Sequence, residues 1–271
     1  MPILAFHYID EDFHLGVNSY SPGRFKKFIS IFQGAGFEFV RLADYVESIS
    51  MLKTIGAPES GDGNLSRQIA LTFDDGYESF YEDVVQILNE FSVPATVFIP
   101  AGYIGRPNSW DYSSIFRKSN HLSANQIREM TSMGIEFGSH GHTHTNLVDL
   151  PDRLLKIELE RSKTSLEDIT GREIKFLSYP FGRLDDRIEG RCLEAGYLRG
   201  FSLSYLRRSR TGFSMRRFPV YSIDTPYSIS KKISRGAMNK MEMIKGAVMN
   251  SCSCGTILLN RMRPQIYKED Y

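Results

Sequence analysis

The sequence is poor in cysteine and has no long apolar run. Its 271 residues contain only three cysteines, an odd and sparse set that argues against a framework of disulfide bonds. No stretch approaches the ~18 consecutive apolar residues of a transmembrane helix. The first residues, MPILAFHYID, contain no charged segment of the kind that opens a signal peptide. We therefore expect no transmembrane segment and a cytoplasmic location.

An excess of one charge is also missing, because 33 basic residues balance 32 acidic ones. Proteins that bind nucleic acids or anionic membranes usually carry a basic patch, so we expect no nucleic-acid partner. The oligomeric state does not follow from the composition. Cys252 and Cys254 lie close together in CSC, but no second cluster of cysteine or histidine lies nearby. Buried structural thiols are therefore a better interpretation than a metal site.

Short apolar runs alternate with longer segments of helical periodicity along the chain. ILAF, QIALTF, ATVFIP and IEFGS are such runs, and each is followed by a helical segment or a loop. This alternation predicts a parallel sheet with right-handed crossovers. The number of units suits an α/β fold, a single (β/α) barrel that is irregular or incomplete. Because no repeat or shift in composition marks a boundary, we expect one domain over residues 1–271.

Several helix ends follow from local signals. A Ser-Pro pair opens a helix that ends at Gly36, and Pro151 opens a helix that Gly171 ends. Residues 228–249 have helical character, and residues 255–260, GTILLN, are typical of a last strand.

Polar side chains follow four of the predicted strands. His7 follows the first strand, and Asp74 and Asp75 follow QIALTF. The motifs SHGHTH and SYPFG follow two later strands. Since active groups of such folds gather where strands end, we expect these residues to meet at one end of the barrel.

One carboxylate and two imidazoles form a plausible ligand set for a divalent metal, with a coordination position left open. A metal acidifies bound water, and a second carboxylate beside it could accept the proton. The residues therefore indicate metal-assisted hydrolysis. Spacing does not decide which of His140, His142 and His144 bind a metal. In a helix His140 and His144 would lie on one face, and in a strand all three would.

LTFDDG, SHGHTH and SYPFG, in this order, resemble the motifs of the polysaccharide deacetylase family (carbohydrate esterase family 4, the NodB-homology domain). The opening FHYI and the stretch VPATVFIP are most similar to the poly-N-acetylglucosamine deacetylases. The resemblance covers nearly the whole chain. It implies removal of N-acetyl groups from amino sugars with Zn²⁺, or with another divalent transition metal such as Co²⁺ or Ni²⁺.

The resemblance also implies a role for single residues. Asp74 matches the general base, and Asp75, His140 and His144 match the metal ligands, which leaves His142 outside the set. In SYPFG, the Phe181 N–H matches an oxyanion donor, and its ring would shape a sugar pocket. We assign Tyr179 and Gly182 of this motif, together with Trp110, to substrate binding. An aromatic ring such as Trp110 stacks well on a sugar, although a packing role for its loop is equally compatible with the sequence.

The pattern departs from the family at two positions. Asn260 occupies the place of a late histidine that acts as the acid, and Ser178 that of an arginine that orients the base. The poly-N-acetylglucosamine deacetylases resemble a circularly permuted fold in which a histidine of the N-terminal strand is the acid, and His7 matches it. Arg216 and Arg217 are candidates for the missing arginine, although a solvated basic pair is equally compatible with the sequence. His14 and His121 lie in polar stretches, and we expect them at the surface.

The leading interpretation is a metal-dependent deacetylase acting on an N-acetylated sugar in a cell-surface polysaccharide or its precursor. Hydrolysis of another C–N amide, such as N-formyl, is compatible with the same residues. A catalytically weak carbohydrate-binding relative is a third interpretation, which Asn260 and Ser178 motivate.

Overall fold

The computed structural model describes residues 2–11, 18–54, 67–110, 119–203 and 211–233. Its strands are β1 (Ile3–Phe6), β2 (Tyr8–Ile9), β3 (Ser19–Tyr20), β4 (Glu38–Phe39), β5 (Gln68–Phe73), β6 (Thr96–Ile99), β7 (Glu136–Ser139), β8 (Phe176–Ser178), β9 (Arg199–Ser202), β10 (Ser214–Arg216) and β11 (Phe218–Pro219). Eight strands lie side by side in the order β10-β9-β8-β7-β6-β5-β1-β11, and β4 pairs with β5. All of these pairs are parallel, and β2 and β3 form a separate parallel pair.

One extended segment, residues 214–219, joins the two ends of the sheet. Its first part, β10, pairs with β9, and its last part, β11, pairs with β1, where Leu4 lies opposite Phe218. We call it the closing segment. It makes the sheet a nearly closed parallel barrel, so the predicted (β/α) barrel is confirmed.

Helices cover the outside of the barrel, and their ends follow the predicted signals. The helices are α1 (Pro22–Gly34), α2 (Leu42–Thr54), a π-helical turn (Phe80–Val84) that leads into α3 (Val85–Phe91), α4 (Ala124–Ser132), α5 (Asp152–Thr170), α6 (Asp186–Glu194) and α7 (Pro226–Ile233). Ser21 caps α1, where its side chain accepts a hydrogen bond from the Arg24 N–H, and Gly171 ends α5 with a φ of 64°. Ser123 forms a capping box with Gln126 at the start of α4.

Two apolar layers follow from the alternation of side chains along the strands. Residues such as Leu71, Val97 and Leu177 face outward and pack with the helices in the larger core. The inward-facing apolar residues form a smaller group that we call the apolar cluster, which α2 also contacts. Its strand residues are Ile3, Ala70, Phe98, Phe176 and Phe201.

Some predictions extend beyond the described residues. Of the predicted helix 228–249, the first part belongs to α7, and the remainder lies outside the described ranges. The predicted strand 255–260, together with Cys252 and Cys254, also lies outside them, so one domain over residues 1–271 stays a prediction. Within the described ranges, no helix combines the length and apolar character needed to cross a membrane.

Candidate active site

Asp74 follows β5 directly and is held by a buried arginine. Arg217, in the closing segment, contacts it with both terminal nitrogens: Nη1 lies 2.7 Å from Oδ1, and Nη2 lies 2.6 Å from Oδ2. Arg217 also donates to the hydroxyls of Thr72 at 2.9 Å and Ser178 at 2.6 Å. We call these four residues the polar cluster. Two parallel charge-assisted bonds fix the orientation of a carboxylate as well as its charge.

The electrostatics of the polar cluster keep Asp74 ionised. Burial by itself raises the pKa of its carboxyl group, but the Arg217 guanidinium, and after it His140, lower the pKa below its ordinary value. Asp74 is therefore deprotonated at neutral pH. Ser178 donates a further bond to Oδ2 at 3.2 Å. Within the described residues, the one hydrogen bond that Oδ1 accepts comes from Arg217, so Oδ1 retains a lone pair for a proton.

Asp75, His140 and His144 form a second buried group beside Asp74. Their ligand atoms all lie within 4.8 Å of one another. Asp75 Oδ1 is 3.4 Å from His140 Nε2 and 3.2 Å from His144 Nε2. Burial raises the pKa of Asp75, but the two imidazoles beside its carboxyl group hold the pKa well below its ordinary range.

The orientation of His140 fits a metal ligand. Its Nδ1 lies 2.8 Å from the Ser178 carbonyl oxygen, which can only accept, so Nδ1 carries a proton and Nε2 is the ring nitrogen on the side of Asp75. A metal-binding histidine usually has its other nitrogen fixed in this way. Two imidazole nitrogens and one carboxylate oxygen suit zinc, cobalt or nickel and leave a coordination position open. The residues present thus fit a divalent transition metal.

His7 lies near both carboxyl groups. It follows β1, and the register of Phe6 with Phe73 puts His7 beside Asp74. Its charge makes a small contribution to the lowered pKa values of Asp74 and Asp75, after the larger effects of burial, Arg217 and the other histidines. His7 is half-buried, and its buried Nδ1 has no hydrogen-bond partner within the described residues.

Two aromatic rings enclose His144. The Trp110 ring stacks on its imidazole with centroids 3.7 Å apart, and the Phe181 ring meets it edge-on at 4.9 Å. Trp110 is mostly buried, so one of its faces packs on the site itself. Phe181 has a φ of 59°, in the left-handed region that non-glycine residues rarely occupy. The two rings therefore flank the Asp75, His140 and His144 group on the side of His144.

A profile of the family described as polysaccharide deacetylase matches residues 62–199, just over half of the chain. The chain belongs to the polysaccharide deacetylase family. The match includes Asp74, Asp75, His140, His144 and Phe181.

Three relatives show the range of the similarity. A poly-beta-1,6-N-acetyl-D-glucosamine N-deacetylase of Staphylococcus aureus is 30% identical over 146 residues, which cover 51% of this chain and 48% of that protein. The chain therefore spans about half the length of the curated relatives that it matches. A Streptococcus pyogenes deacetylase, solved in complex with acetate, has a TM-score of 0.71 at 20% identity and covers 86% of this chain and 98% of its own. The structure of IcaB from Ammonifex degensii has a TM-score of 0.70 at 20% identity and covers 86% of this chain and 96% of its own. At this identity the two structures establish the barrel fold.

Among the other predicted site residues, His142 is separate from the Asp75, His140 and His144 group. The side chain of Tyr179 faces outward from the barrel, where its hydroxyl pairs with Ser214 at 2.7 Å. Gly182 has a φ of 65° and packs tightly against Leu203. Its N–H donates to the Tyr179 carbonyl, which indicates a structural role in the turn.

The predicted surface position of His121 is wrong. Its side chain is buried, and its Nδ1 lies 2.8 Å from the Asp75 carbonyl oxygen. Burial lowers the pKa of His121 to about 4, so Nδ1–H of the neutral ring donates to that carbonyl. The polar neighbours of His121 gave no signal for this role, which depends on contacts with Tyr77 and Tyr103. His14 lies outside the described residues.

The departures from the family pattern have different outcomes. Of the two candidates for the arginine expected at Ser178, Arg217 contacts both Asp74 and Ser178, whereas Arg216 lies over the Phe218 ring. Asn260 lies outside the described residues.

Proposed function

We propose that this polysaccharide deacetylase is a metal-dependent hydrolase that removes N-acetyl groups from an amino sugar in a cell-surface polysaccharide or its precursor. One observation carries the proposal: an ionised, arginine-bound Asp74 lies directly beside the Asp75, His140 and His144 group. A pure binding protein needs no buried carboxylate with a lone pair held next to a metal site. The N-deacetylase name of the Staphylococcus aureus relative supports the choice of acyl group.

Asp75, His140 and His144 would hold the metal, and Zn²⁺ is the ion that we propose. When bound, such an ion supplies Lewis acidity toward a carbonyl oxygen and lowers the pKa of water. The Ser178 carbonyl fixes the orientation of the His140 ring, and the lowered pKa of Asp75 keeps its carboxyl group ionised.

Asp74 would act as the general base. Its Oδ1 takes the proton of the attacking water, while Arg217 and Ser178 keep the carboxylate from turning. The negative charge that develops on the acetyl oxygen would be stabilised by the Phe181 N–H, an oxyanion-hole arrangement. The Phe181 ring and Trp110 would shape the pocket for the acetyl group and the sugar.

His7 would protonate the leaving amine. An amine leaves only with a proton, and an imidazole can hold one near neutral pH. The position of His7 beside Asp74, at the end of the neighbouring strand, supports this role. A His7→Ala variant with full activity would contradict the assignment.

Acetate release from N-acetylglucosamine oligomers by the purified chain tests the function. We expect release to stop after chelation and to return with Zn²⁺, Co²⁺ or Ni²⁺. Parallel assays on N-acetylated sugar nucleotides and on N-formyl analogues separate polymer from precursor and acetyl from formyl hydrolysis. Binding of the oligomers without any release would favour a carbohydrate-binding protein. The cytoplasmic location stays a prediction, which fractionation of expressing cells tests.

A further inference from the structure

A buried glutamate lies behind the segment that carries the two histidine ligands. Glu158 belongs to the second turn of α5, and its side chain is inaccessible to solvent. It lies on the buried stripe of the helix with Leu155, Leu159 and Ser162. Because a carboxyl group is expensive to bury without hydrogen bonds, this position needs partners, and the ligand segment provides them.

Three donors of the ligand segment converge on Glu158. The backbone N–H groups of His142 and Thr143 donate to Oε2 at 2.7 and 2.9 Å. The Thr143 hydroxyl donates to Oε1 at 2.6 Å. His142 and Thr143 lie between His140 and His144, so the carboxyl group is bound to the backbone that connects the two ligands.

The connecting backbone has a conformation that needs support. Gly141 has a φ of 77° and His144 a φ of 52°, and the left-handed region is unfavourable for a non-glycine residue such as His144. Successive N–H groups beside such residues form a concave site for an anion. A Cβ atom at Gly141 would lie 3.3 Å from Glu158 Oε2, so the segment closes tightly around the carboxyl group.

We propose that Glu158 is a positioning residue that holds residues 140–144 in the metal-binding conformation. The inference rests on the proposed metal-dependent function. Without the carboxyl group, the segment would have to be ordered when the metal binds, and that cost would appear as weaker affinity. Since Glu158 does not touch the ligand atoms, its effect is carried by the backbone.

The experiment compares Glu158→Gln with a matched variant of a second buried glutamate. Glu189, on α6, is likewise inaccessible to solvent, and its carboxylate accepts a hydrogen bond from the Thr211 hydroxyl at 2.6 Å. Glu189→Gln therefore removes an equally buried carboxyl group away from the ligand segment. Zn²⁺ affinity is measured by competition with a chromophoric chelator, and the visible spectrum of bound Co²⁺ reports the ligand geometry.

We expect Glu158→Gln to bind Zn²⁺ about 10-fold more weakly and to change the Co²⁺ spectrum, while Glu189→Gln matches the wild type in both. Equal affinity and identical spectra of Glu158→Gln and wild type would overturn the inference and leave the proposed function intact. Absence of Zn²⁺ binding by wild type would overturn both.

A second variant keeps the inference testable if Glu158→Gln does not fold. Thr143→Val removes the hydroxyl that donates to Oε1 and preserves the shape of the side chain. We expect a smaller loss of Zn²⁺ affinity, roughly threefold for one lost hydrogen bond. Unchanged affinity in Thr143→Val, with Glu158→Gln unfolded, would also count against the inference.

Discussion

The interior of the barrel divides into two regions with opposite chemistry. Toward the amino ends of the strands lies the apolar cluster, and toward the carboxyl ends lies the polar cluster around Asp74. They meet where the Arg217 guanidinium lies 5.1 Å from the centre of the Phe98 ring. Both regions are buried, and both are contributed by the same strands: Ala70 and Thr72 are two residues apart in β5.

The difference shows how one barrel separates stability from chemistry. In the apolar cluster, free energy depends on contact area and shape, so similar side chains can replace one another. In the polar cluster, each group is bound to a specific partner, and removal of one leaves the others unsatisfied. Substitutions in the polar cluster should therefore affect catalysis strongly, and those in the apolar cluster should affect stability alone.

Asp74→Asn should have the largest effect. Asparagine keeps the size of the side chain but cannot take the water proton, so we expect acetate release to fall by about 10³-fold or more. Zn²⁺ affinity should stay within a few-fold of wild type, because the ligands are unchanged. Acetate release and chelator competition measure the two effects, and substantial activity in the variant would remove Asp74 from its role as the base.

Arg217→Met should have the next largest effect, about 10²-fold at neutral pH. Burial raises the pKa of Asp74, and the guanidinium charge of Arg217 lowers it. Without the guanidinium, the pKa of Asp74 therefore rises. The acid limb of the pH profile of kcat/KM should therefore move to higher pH. Arg216→Met is the matched control, since Arg216 lies over the Phe218 ring and should leave the profile unchanged. An unmoved acid limb in Arg217→Met would contradict the account.

His121→Asn should change the pH dependence of stability more than activity. His121 has a pKa of about 4 in the fold and about 6.5 when unfolded, so the unfolded chain binds more protons between these values. The wild type should therefore lose stability as pH falls from about 6.5 to about 4, by on the order of 3 kcal/mol. Asparagine keeps a donor for the Asp75 carbonyl but does not titrate. Urea unfolding at several pH values should show a smaller loss in the variant, and equal losses would refute the prediction.

Ile3→Val should have the smallest effect on catalysis. It removes one methylene group from the apolar cluster, so we expect a loss of about 1 kcal/mol in the free energy of unfolding. Acetate release per folded molecule should equal that of wild type. A clear loss of activity would show that the two regions are not separable.

The fold could be predicted from the sequence because its signals are local. The buried run of β5 and the cap residues of α1 and α5 lie within the elements that they define. The ligand set needed the family resemblance, since spacing left His140, His142 and His144 equivalent.

Residues whose role depends on distant contacts were harder to predict. Arg216 and Arg217 are adjacent, and the register of the closing segment decides which faces inward. His121 was misplaced because its partner is the Asp75 carbonyl, 46 positions away along the chain. Tyr179 follows the inward-facing Ser178, so the alternation of the strand directs its side chain outward. The sequence contains one signal for Glu158: this charged residue falls at the helical spacing of the buried residues of α5.

The most direct test of the account is the Zn²⁺ content of three matched histidine variants. We predict that wild type and His142→Ala bind one Zn²⁺ per chain with similar affinity, whereas His140→Ala and His144→Ala lose the ion. Circular dichroism establishes that each variant is folded. Retention of Zn²⁺ by folded His140→Ala and His144→Ala, or its loss in His142→Ala, would contradict the central claim that Asp75, His140 and His144 form the metal site.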